Sequence, residues 1–215
     1  MSEKTVTLFA NGEFEKSQRI IKTISQSDFI VAIDGGLQHV IKLGLTPNII
    51  IGDLDSIDQL DLATFQENGI DVKQFPAQKD ETDLELAIQY VLDLGFERIF
   101  LCGATGGRTD HFLGNLLLFS NPNFIGKKIT ILTDKSEIFY CSNNQQIVGS
   151  HGDIVSLIPI SEKVPGVSTN GLEYKLNDEE LTRWSSRGIS NVMIDDIAQV
   201  KFESGSLLCV HTFKV

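Results

Sequence analysis

The sequence predicts an α/β protein, with an N-terminal, doubly wound, mostly parallel sheet of about six strands and a C-terminal, all-β antiparallel sandwich. Two observations lead to this fold class. Short apolar runs alternate with segments of helical periodicity as far as about residue 135. After that point the helical periodicity fades, and short alternating segments are separated by Pro-Gly, Asn-Gly and Ser-Gly pairs. We therefore expect two domains, residues 1–135 and 136–215.

The individual elements follow from apolar patterning and from helix caps. Ser56 with Gln59, and Thr82 with Glu85, match the capping-box pattern. N-terminal strands are expected at residues 5–10, 29–33, 49–52, 72–75, 98–102 and 128–132. Helices are expected over residues 14–24, from residue 37 to a stop at Gly44, from Ser56 to residues 68–69, after Thr82, and through residues 116–119. C-terminal strands are expected at residues 138–141, 154–160, 192–194, 200–203 and 207–212.

The total charge and the cysteine pattern limit the kind of protein. The formal net charge is -11, which argues against a nucleic-acid partner or an anionic membrane, because both attract basic surfaces. The three cysteines are widely spaced in apolar segments, as expected for reduced core residues. The N-terminus has no apolar signal segment, and no run approaches the roughly 18 apolar residues of a membrane span. We expect a cytoplasmic protein.

Two aspartates after the third predicted strand are the first candidate functional residues. The apolar run at residues 49–52 is typical of a buried strand, and Asp53 and Asp55 follow it two positions apart. In extended backbone, residues i and i+2 point the same way, so the two carboxylates can face one point, where their repulsion favours a bound cation. Mg²⁺, a hard ion with oxygen ligands, fits best. The alternative is that Asp55 opens a surface turn and that Asp53 is solvated.

Polar residues also follow the other predicted strands. Open α/β sheets bind ligands beyond the carboxyl ends of their strands, so this distribution supports an acidic metal site at that edge. The residues concerned are Asp34, Lys79, Asp80, Thr82, Asp83, Thr105, Arg108 and Asp110.

The segment at residues 103–109, Gly-Ala-Thr-Gly-Gly-Arg-Thr, has the features of a polyphosphate-binding turn. Glycines permit close backbone approach, the following helix start offers free N–H groups, and Arg108 can bind phosphate with its planar guanidinium. It is neither a Walker A loop nor a G-x-G-x-x-G motif. The alternative is a tight strand-to-helix connection. The same alternative applies to Asp34-Gly35-Gly36, where Asp34 could otherwise bind a ribose hydroxyl or join the metal ligands.

Some residues have structural explanations. Asp80 suits a solvated charge near a helix start. His111, just inside an apolar helix, is expected to be structural, and Trp184 to be an aromatic residue of the core or of an interface. The sequence has no G-x-S-x-G motif and no cysteine with a convincing base, which argues against covalent catalysis by serine or cysteine.

Four motifs resemble, in order and spacing, those of the thiamine pyrophosphokinase family. They are Asp34-Gly35-Gly36, Gly52-Asp53-Leu54-Asp55-Ser56, Lys79-Asp80-Glu81-Thr82-Asp83 and Gly103-Ala104-Thr105-Gly106-Gly107-Arg108-Thr109-Asp110-His111. Residues 171–176 and 188–191 are similar to the family's C-terminal segments, so the resemblance covers nearly the whole chain. It implies an α/β domain that binds ATP, a β-sandwich that helps to bind thiamine, and a homodimer with the active site at the subunit interface. The implied reaction moves the terminal pyrophosphoryl group of ATP to the thiamine hydroxyl and gives thiamine diphosphate and AMP.

The resemblance also implies roles for particular residues. Asp53, Asp55 and Asp83 would hold Mg²⁺, and Ser190 and Asn191 would contact thiamine. The candidate base for the thiamine hydroxyl is Asp83 or Asp55. The residues implied to bind ATP are Asp34, Gly35, Gly36, Lys79, Thr82, Gly103, Thr105, Gly106, Arg108 and Asp110.

Two other functions stay open at this point. A Mg²⁺-dependent phosphohydrolase with Asp53 as its nucleophile would release phosphate from small phosphoesters. A regulatory module that binds a nucleotide or thiamine would show no turnover. The products formed from ATP and thiamine distinguish these functions from pyrophosphoryl transfer.

Overall fold

The structure, a computed structural model, describes residues 3–214. It contains two compact units: residues 3–118 with Ile131–Asp134, and Phe119–Thr130 with residues 135–214. The predicted division into residues 1–135 and 136–215, with a substrate assigned to each domain, stays a prediction. No helix among the described residues has the length and apolarity that crossing a membrane requires.

The first unit is built on a parallel sheet with the strand order β5-β1-β2-β3-β4. Its strands are β1 (Thr5–Phe9), β2 (Phe29–Ile33), β3 (Ile49–Gly52), β4 (Asp71–Gln74) and β5 (Arg98–Cys102). The sixth strand, β6 (Lys128–Leu132), has residues in both units. The helices of the first unit are α1 (Gln18–Ile24), α2 (Leu37–Lys42), α3 (Gln59–Glu67), α4 (Asp83–Asp93) and α5 (Thr109–Leu117). Every residue of β1 and β3 is buried, which explains why these strands lack an alternating pattern. The predicted α/β class is confirmed.

Helix α1 begins four residues later than predicted, at Gln18 rather than at residue 14. The Ser17 hydroxyl accepts a hydrogen bond from the N–H of Ile20 and so caps the helix at this point. The preceding chain is not helical because Glu13 forms a β-bridge with Thr105. The first four residues of the predicted helix, 14–17, therefore precede α1 and follow the residue that pairs with the glycine-rich turn at residues 103–109.

Of the two predicted helix caps, one is confirmed and one is wrong. The Thr82 hydroxyl accepts a hydrogen bond from the N–H of Glu85 at the start of α4, as predicted. The cap of α3 is Asp58, whose carboxylate accepts from the N–H of Leu60, so the predicted cap at Ser56 is wrong. A carboxylate one residue before the helix competes successfully with the earlier hydroxyl, because it satisfies free N–H groups and interacts favourably with the helix dipole.

The second unit contains two antiparallel sheets, with the strand orders β12-β9-β14-β7 and β11-β10-β13-β8. Its strands are β7 (Ser136–Tyr140), β8 (Asn144–Val148), β9 (Ile154–Pro159), β10 (Lys163–Asn170), β11 (Glu179–Thr182), β12 (Asn191–Val192), β13 (Ile197–Lys201) and β14 (Leu207–Thr212). Leu157 and Cys209 of one sheet and Ile147 and Val200 of the other belong to one buried cluster. The two sheets therefore share a core, as in a sandwich.

Three strands of the second unit, β8, β10 and β11, were not predicted. Strand β10 contains Pro165-Gly166, a pair that is typical of a turn. In the structure, the pairing of β10 with β11 shifts register between Val164 and Val167. The Pro-Gly pair thus lies in an irregularity within a strand, where a missing N–H donor is tolerated.

A buried histidine links three segments of the second unit. His211 in β14 is fully buried, with Nδ1 3.2 Å from Oε1 of Glu137 and Nε2 3.0 Å from Oδ2 of Asp153. Burial alone lowers the pKa of His211, but the hydrogen bonds with the two carboxylates outweigh burial, and the net pKa is raised. The imidazolium form is therefore the one that the folded state favours.

We expect the stabilisation provided by His211 to fade as the pH rises. Because the pKa is higher in the folded chain than the ordinary value of 6.5, the stabilisation is complete below pH 6.5 and is lost as the pH passes through the folded-state pKa. Chemical denaturation of the wild type and the His211→Gln variant at about pH 6 and about pH 9 measures this effect. The difference in their free energy of unfolding should shrink at the higher pH, and a constant difference would contradict the assignment.

Candidate active site

A pocket of about 580 Å³ lies beyond the carboxyl ends of β1, β2, β3 and β5. This is the edge of an open α/β sheet where ligands bind. Four carboxylates and part of the glycine-rich turn after β5 line it. The predicted site residues among its lining are Asp34, Asp53, Asp55, Asp83, Gly103, Gly106 and Arg108.

The Asp34 carboxylate is locked against the turn that follows β3. Its Oδ1 accepts a hydrogen bond of 3.1 Å from the N–H of Leu54. Both residues have positive φ angles, +46° for Asp34 and +70° for Leu54, a backbone strain that is common at functional sites. A Cβ atom on Gly52 would lie 1.8 Å from Oδ1 of Asp34. Gly52 is therefore required for the carboxylate to approach the strand end this closely.

The electrostatics of the pocket favour a bound cation. Burial is the main reason that the pKa of Asp34 is raised to about 7; the N–H of Leu54 opposes this shift, and the negative charges of Asp83 and Asp53 add to it. No three His, Cys, Asp or Glu side chains among residues 3–214 already stand close enough together to hold a metal ion. A divalent cation would relieve the repulsion, and carboxylate oxygens are the ligands that Mg²⁺ prefers. By their chemistry these residues fit such an ion.

Both predicted phosphate-binding cations are paired with carboxylates. The Nζ of Lys79 lies 2.7 Å from Oδ1 of Asp83 and donates a hydrogen bond to the carbonyl of Pro76. The guanidinium of Arg108 donates two hydrogen bonds to Asp110, of 2.6 and 3.1 Å. This interaction lowers the pKa of Asp110 to about 2. Because Arg108 and Asp110 are both largely exposed, a phosphate group can compete with the carboxylate for the guanidinium.

Within the described part of the chain, six of the predicted ATP contacts lie outside the pocket lining. Gly36 packs against β1, since a Cβ atom there would lie 2.0 Å from the carbonyl oxygen of Phe9. Thr105 lines a second cavity of about 320 Å³. The six residues are Gly35, Gly36, Lys79, Thr82, Thr105 and Asp110. Their contacts with ATP stay predictions.

The pocket also contains residues that the sequence reasoning missed. Asn11 follows the carboxyl end of β1, and His111 and Asn115 lie on α5. His111 is exposed at the pocket and not buried within the chain, so whether its role is structural or catalytic stays a prediction. The signal for Asn11 was present in the sequence, because Asn11-Gly12 follows the first strand just as Asp53 follows the third.

The two predicted thiamine contacts lie next to each other in the second unit but in different environments. Ser190 is exposed with a φ of +59°, and its N–H donates to the Ser156 hydroxyl. Asn191 is buried, and its amide accepts from the N–H of Tyr174 and donates to the Tyr174 carbonyl. Their roles stay predictions. Trp184 is 66% exposed, so its alternative placement in the core is wrong within this chain.

The fold and the pocket define a class of protein. Parallel α/β sheets that bind phosphate compounds do so with glycine-rich turns and helix starts at this edge. The pocket carboxylates have oxygen atoms of the kind that bind the metal ion used in phosphoryl-transfer chemistry. This construction is typical of a phosphotransfer enzyme.

Comparison with known proteins gives the particular family. Residues 20–131 match the family model described as the catalytic domain of thiamin pyrophosphokinase, and residues 128–207 match its vitamin B1 binding domain. Thiamine pyrophosphokinase of Bacillus subtilis (strain 168) is 26% identical over 211 residues, which cover 97% of this chain and 99% of that protein. Thiamine pyrophosphokinase 2 of Arabidopsis thaliana is 29% identical over 192 residues, 81% of this chain and 69% of that protein. The chain belongs to the thiamin pyrophosphokinase family.

Solved structures agree with this assignment. The crystal structure of thiamine pyrophosphokinase from Bacillus subtilis matches with a TM-score of 0.88 and 27% identity, covering 99% of this chain and 100% of that chain. The enzyme from Geobacillus thermodenitrificans matches with a TM-score of 0.84 and 26% identity over 98% of both chains. Yeast thiamin pyrophosphokinase, at 18% identity and a TM-score of 0.80, covering 99% of this chain and 87% of that one, shares the fold.

Proposed function

We propose that this chain transfers the pyrophosphoryl group of ATP to the hydroxyl of thiamine, giving thiamine diphosphate and AMP, with Mg²⁺ bound at the carboxylate cluster. The observation that carries the proposal is the meeting of Asp34, Asp53, Asp55 and Asp83 in one pocket with the turn that contains Arg108. Membership of the family supports the choice of thiamine and ATP as the substrates.

The proposed mechanism assigns a role to each group. The thiamine hydroxyl attacks the β-phosphorus of ATP, the bond between that phosphorus and the α–β bridging oxygen breaks, and AMP leaves with the bridging oxygen. Asp53, Asp55 and Asp83 would hold Mg²⁺, which would supply positive charge to offset the charge of the phosphate oxygens. Arg108 and the N–H groups of its turn bind the same charge from another side. Asp83 or Asp55 is the proposed acceptor of the hydroxyl proton.

We propose that the second unit binds thiamine. Trp184 and Tyr174 are 66% and 58% exposed, and an exposed aromatic face suits the thiazolium cation of thiamine. Ser190 is exposed on the loop that follows Trp184 and offers a hydroxyl. The net charge of -11 also favours a cationic substrate.

We also propose that the chain is a homodimer in the cytoplasm, with the active site at the subunit interface. Helix α5 is apolar but has no buried residue, and Leu113 and Leu117 are 54% and 63% exposed; a second copy would cover this face. Light scattering should give twice the 23.8 kDa mass of one chain, and Leu117→Asp should give monomers with less activity. A wild-type monomer would contradict the dimer.

The three free, buried cysteines support the proposed location in the cytoplasm, which is a reducing compartment.

The products formed from ATP, Mg²⁺ and thiamine test the proposed function. We expect AMP and thiamine diphosphate in equal amounts. ADP would indicate ordinary kinase chemistry, and phosphate release from small phosphoesters would indicate a phosphohydrolase. ATP binding without any product would favour a regulatory module.

A further inference from the structure

Residues 11–13, which follow β1, lie beside the pocket and belong to none of the predicted motifs. Asn11 and Gly12 line the pocket. The N–H of Gly12 donates to the carbonyl of Gly103 at 2.7 Å, and the N–H of Glu13 donates to that of Thr105 at 2.8 Å. A Cβ atom on Gly12 would lie 2.4 Å from the oxygen of Gly103. The segment is thus fixed at close range to the glycine-rich turn.

Two side chains also fix the position of this segment: that of His39 in α2 and that of Glu13 in the segment itself. Nε2 of His39 donates to the carbonyl of Gly12 at 2.9 Å. Burial lowers the pKa of His39, which favours the neutral ring. The Glu13 carboxylate accepts a hydrogen bond from the N–H of Gly107. Asn11 therefore projects from backbone that is fixed by contacts on both sides, as a binding residue requires.

The Asn11 side chain has unused hydrogen-bonding capacity. Its amide packs on Gly35, where a Cβ atom would lie 2.3 Å from Oδ1 and 2.6 Å from the amide nitrogen. Within residues 3–214 this amide makes no hydrogen bond, and the side chain is exposed. The other pocket asparagine, Asn115, already donates its amide to the carbonyl of Ala104. Asn11 is thus able to donate to a ligand without breaking an existing contact.

The charge of the pocket indicates which ligand group Asn11 meets. Four carboxylates line the pocket, and Arg108 and Lys79 are both paired with carboxylates. A bound triphosphate needs donors at positions that the metal does not reach, and a neutral amide supplies them without adding charge. We infer that Asn11 is a further substrate-binding residue, whose amide nitrogen donates a hydrogen bond to a phosphate oxygen of ATP. This inference rests on the proposed function.

Binding measurements with two variants test the inference. Asn11→Ala removes the donor, and Asn11→Asp keeps the shape but places a negative charge towards the phosphate. In calorimetry with Mg²⁺, we expect ATP affinity to fall about 10-fold in Asn11→Ala and about 100-fold in Asn11→Asp. Adenosine, which lacks phosphate, should bind all forms equally. Asn123→Asp makes the same charge change at an exposed residue of the second unit and should leave both affinities unchanged.

Other outcomes would overturn the inference. If both Asn11 variants bound ATP with the affinity of the wild type, a contact between Asn11 and phosphate would be excluded. A matching loss for ATP and adenosine would instead place Asn11 at the ribose or the base. The proposed function fails independently if the Asn11 variants lose ATP affinity as expected but the wild-type chain forms no AMP from ATP and thiamine.

Discussion

The Asp53→Asn and Asp55→Asn variants are expected to lose about 1,000-fold in kcat while remaining folded. Asparagine keeps the size of the side chain but removes the charge that holds Mg²⁺ and offsets the charge of the phosphates. Removing the charge of Asp53 leaves the free energy of unfolding unchanged or raises it, since that charge acts unfavourably on Asp34. Asp55 is exposed, so its replacement should leave the free energy of unfolding unchanged. AMP formation and chemical denaturation measure the two effects.

Asp58→Asn is the matched control for these variants. Asp58 lies in the same connection after β3 but caps α3, where asparagine is an equally good cap, so both turnover and stability should persist. Full activity in both Asp53→Asn and Asp55→Asn would refute the metal assignment. Loss of stability in parallel with activity would mean that these carboxylates are structural.

The Gly52→Ala variant is expected to have the second large effect. The new Cβ atom would lie 1.8 Å from Oδ1 of Asp34, on a residue whose φ is +148°. Asp34 must then leave its position, and the turn that carries Asp53 must shift. We expect a loss of about 100-fold in kcat and of roughly 2–4 kcal/mol in the free energy of unfolding.

Gly69→Ala provides the control for backbone strain alone. Gly69 has a φ of +80°, but nothing lies within 4 Å of an added Cβ atom. This variant should lose about 1 kcal/mol of stability and keep its turnover. If Gly52→Ala behaved in the same way as Gly69→Ala, close contact between Gly52 and Asp34 would not be needed for the site.

Sequence patterning predicted the parts of the molecule that depend on local chemistry. The buried strand at residues 49–52 and the Thr82 cap follow from residue type and spacing. The gathering of Asp34, Asp53 and Asp83 follows from a rule of topology, because parallel strands present their carboxyl ends at one edge. Such features need no knowledge of distant packing.

The features that were missed depend on contacts between distant segments. Strand β10 accommodates its Pro-Gly pair through a register shift that is set by its neighbour β11. The apolar pattern of α5 indicates burial, yet no α5 residue is buried within the chain. The late start of α1 results from a bridge between Glu13 and Thr105. A one-dimensional pattern shows that a residue is apolar or polar but not which surface it meets.

Asn191 illustrates the same limit within the predicted site. Its position in a family motif implies contact with thiamine, whereas its amide is engaged with the backbone of Tyr174. In Asn11 the opposite holds, since the residue lies in no predicted motif and its amide is free for a ligand within the described chain. Only the hydrogen-bond partners distinguish a side chain that binds a ligand from one that holds the backbone.

A crystal structure with Mn²⁺ in place of Mg²⁺ and the α,β-methylene analogue of ATP would test the central claim most directly. The analogue cannot be cleaved between its α and β phosphorus atoms, so the complex should persist. We predict an anomalous difference peak about 2.0–2.3 Å from oxygen atoms of Asp53, Asp55 and Asp83 and from phosphate oxygens. A metal and triphosphate bound elsewhere, with these three carboxylates free, would contradict the account.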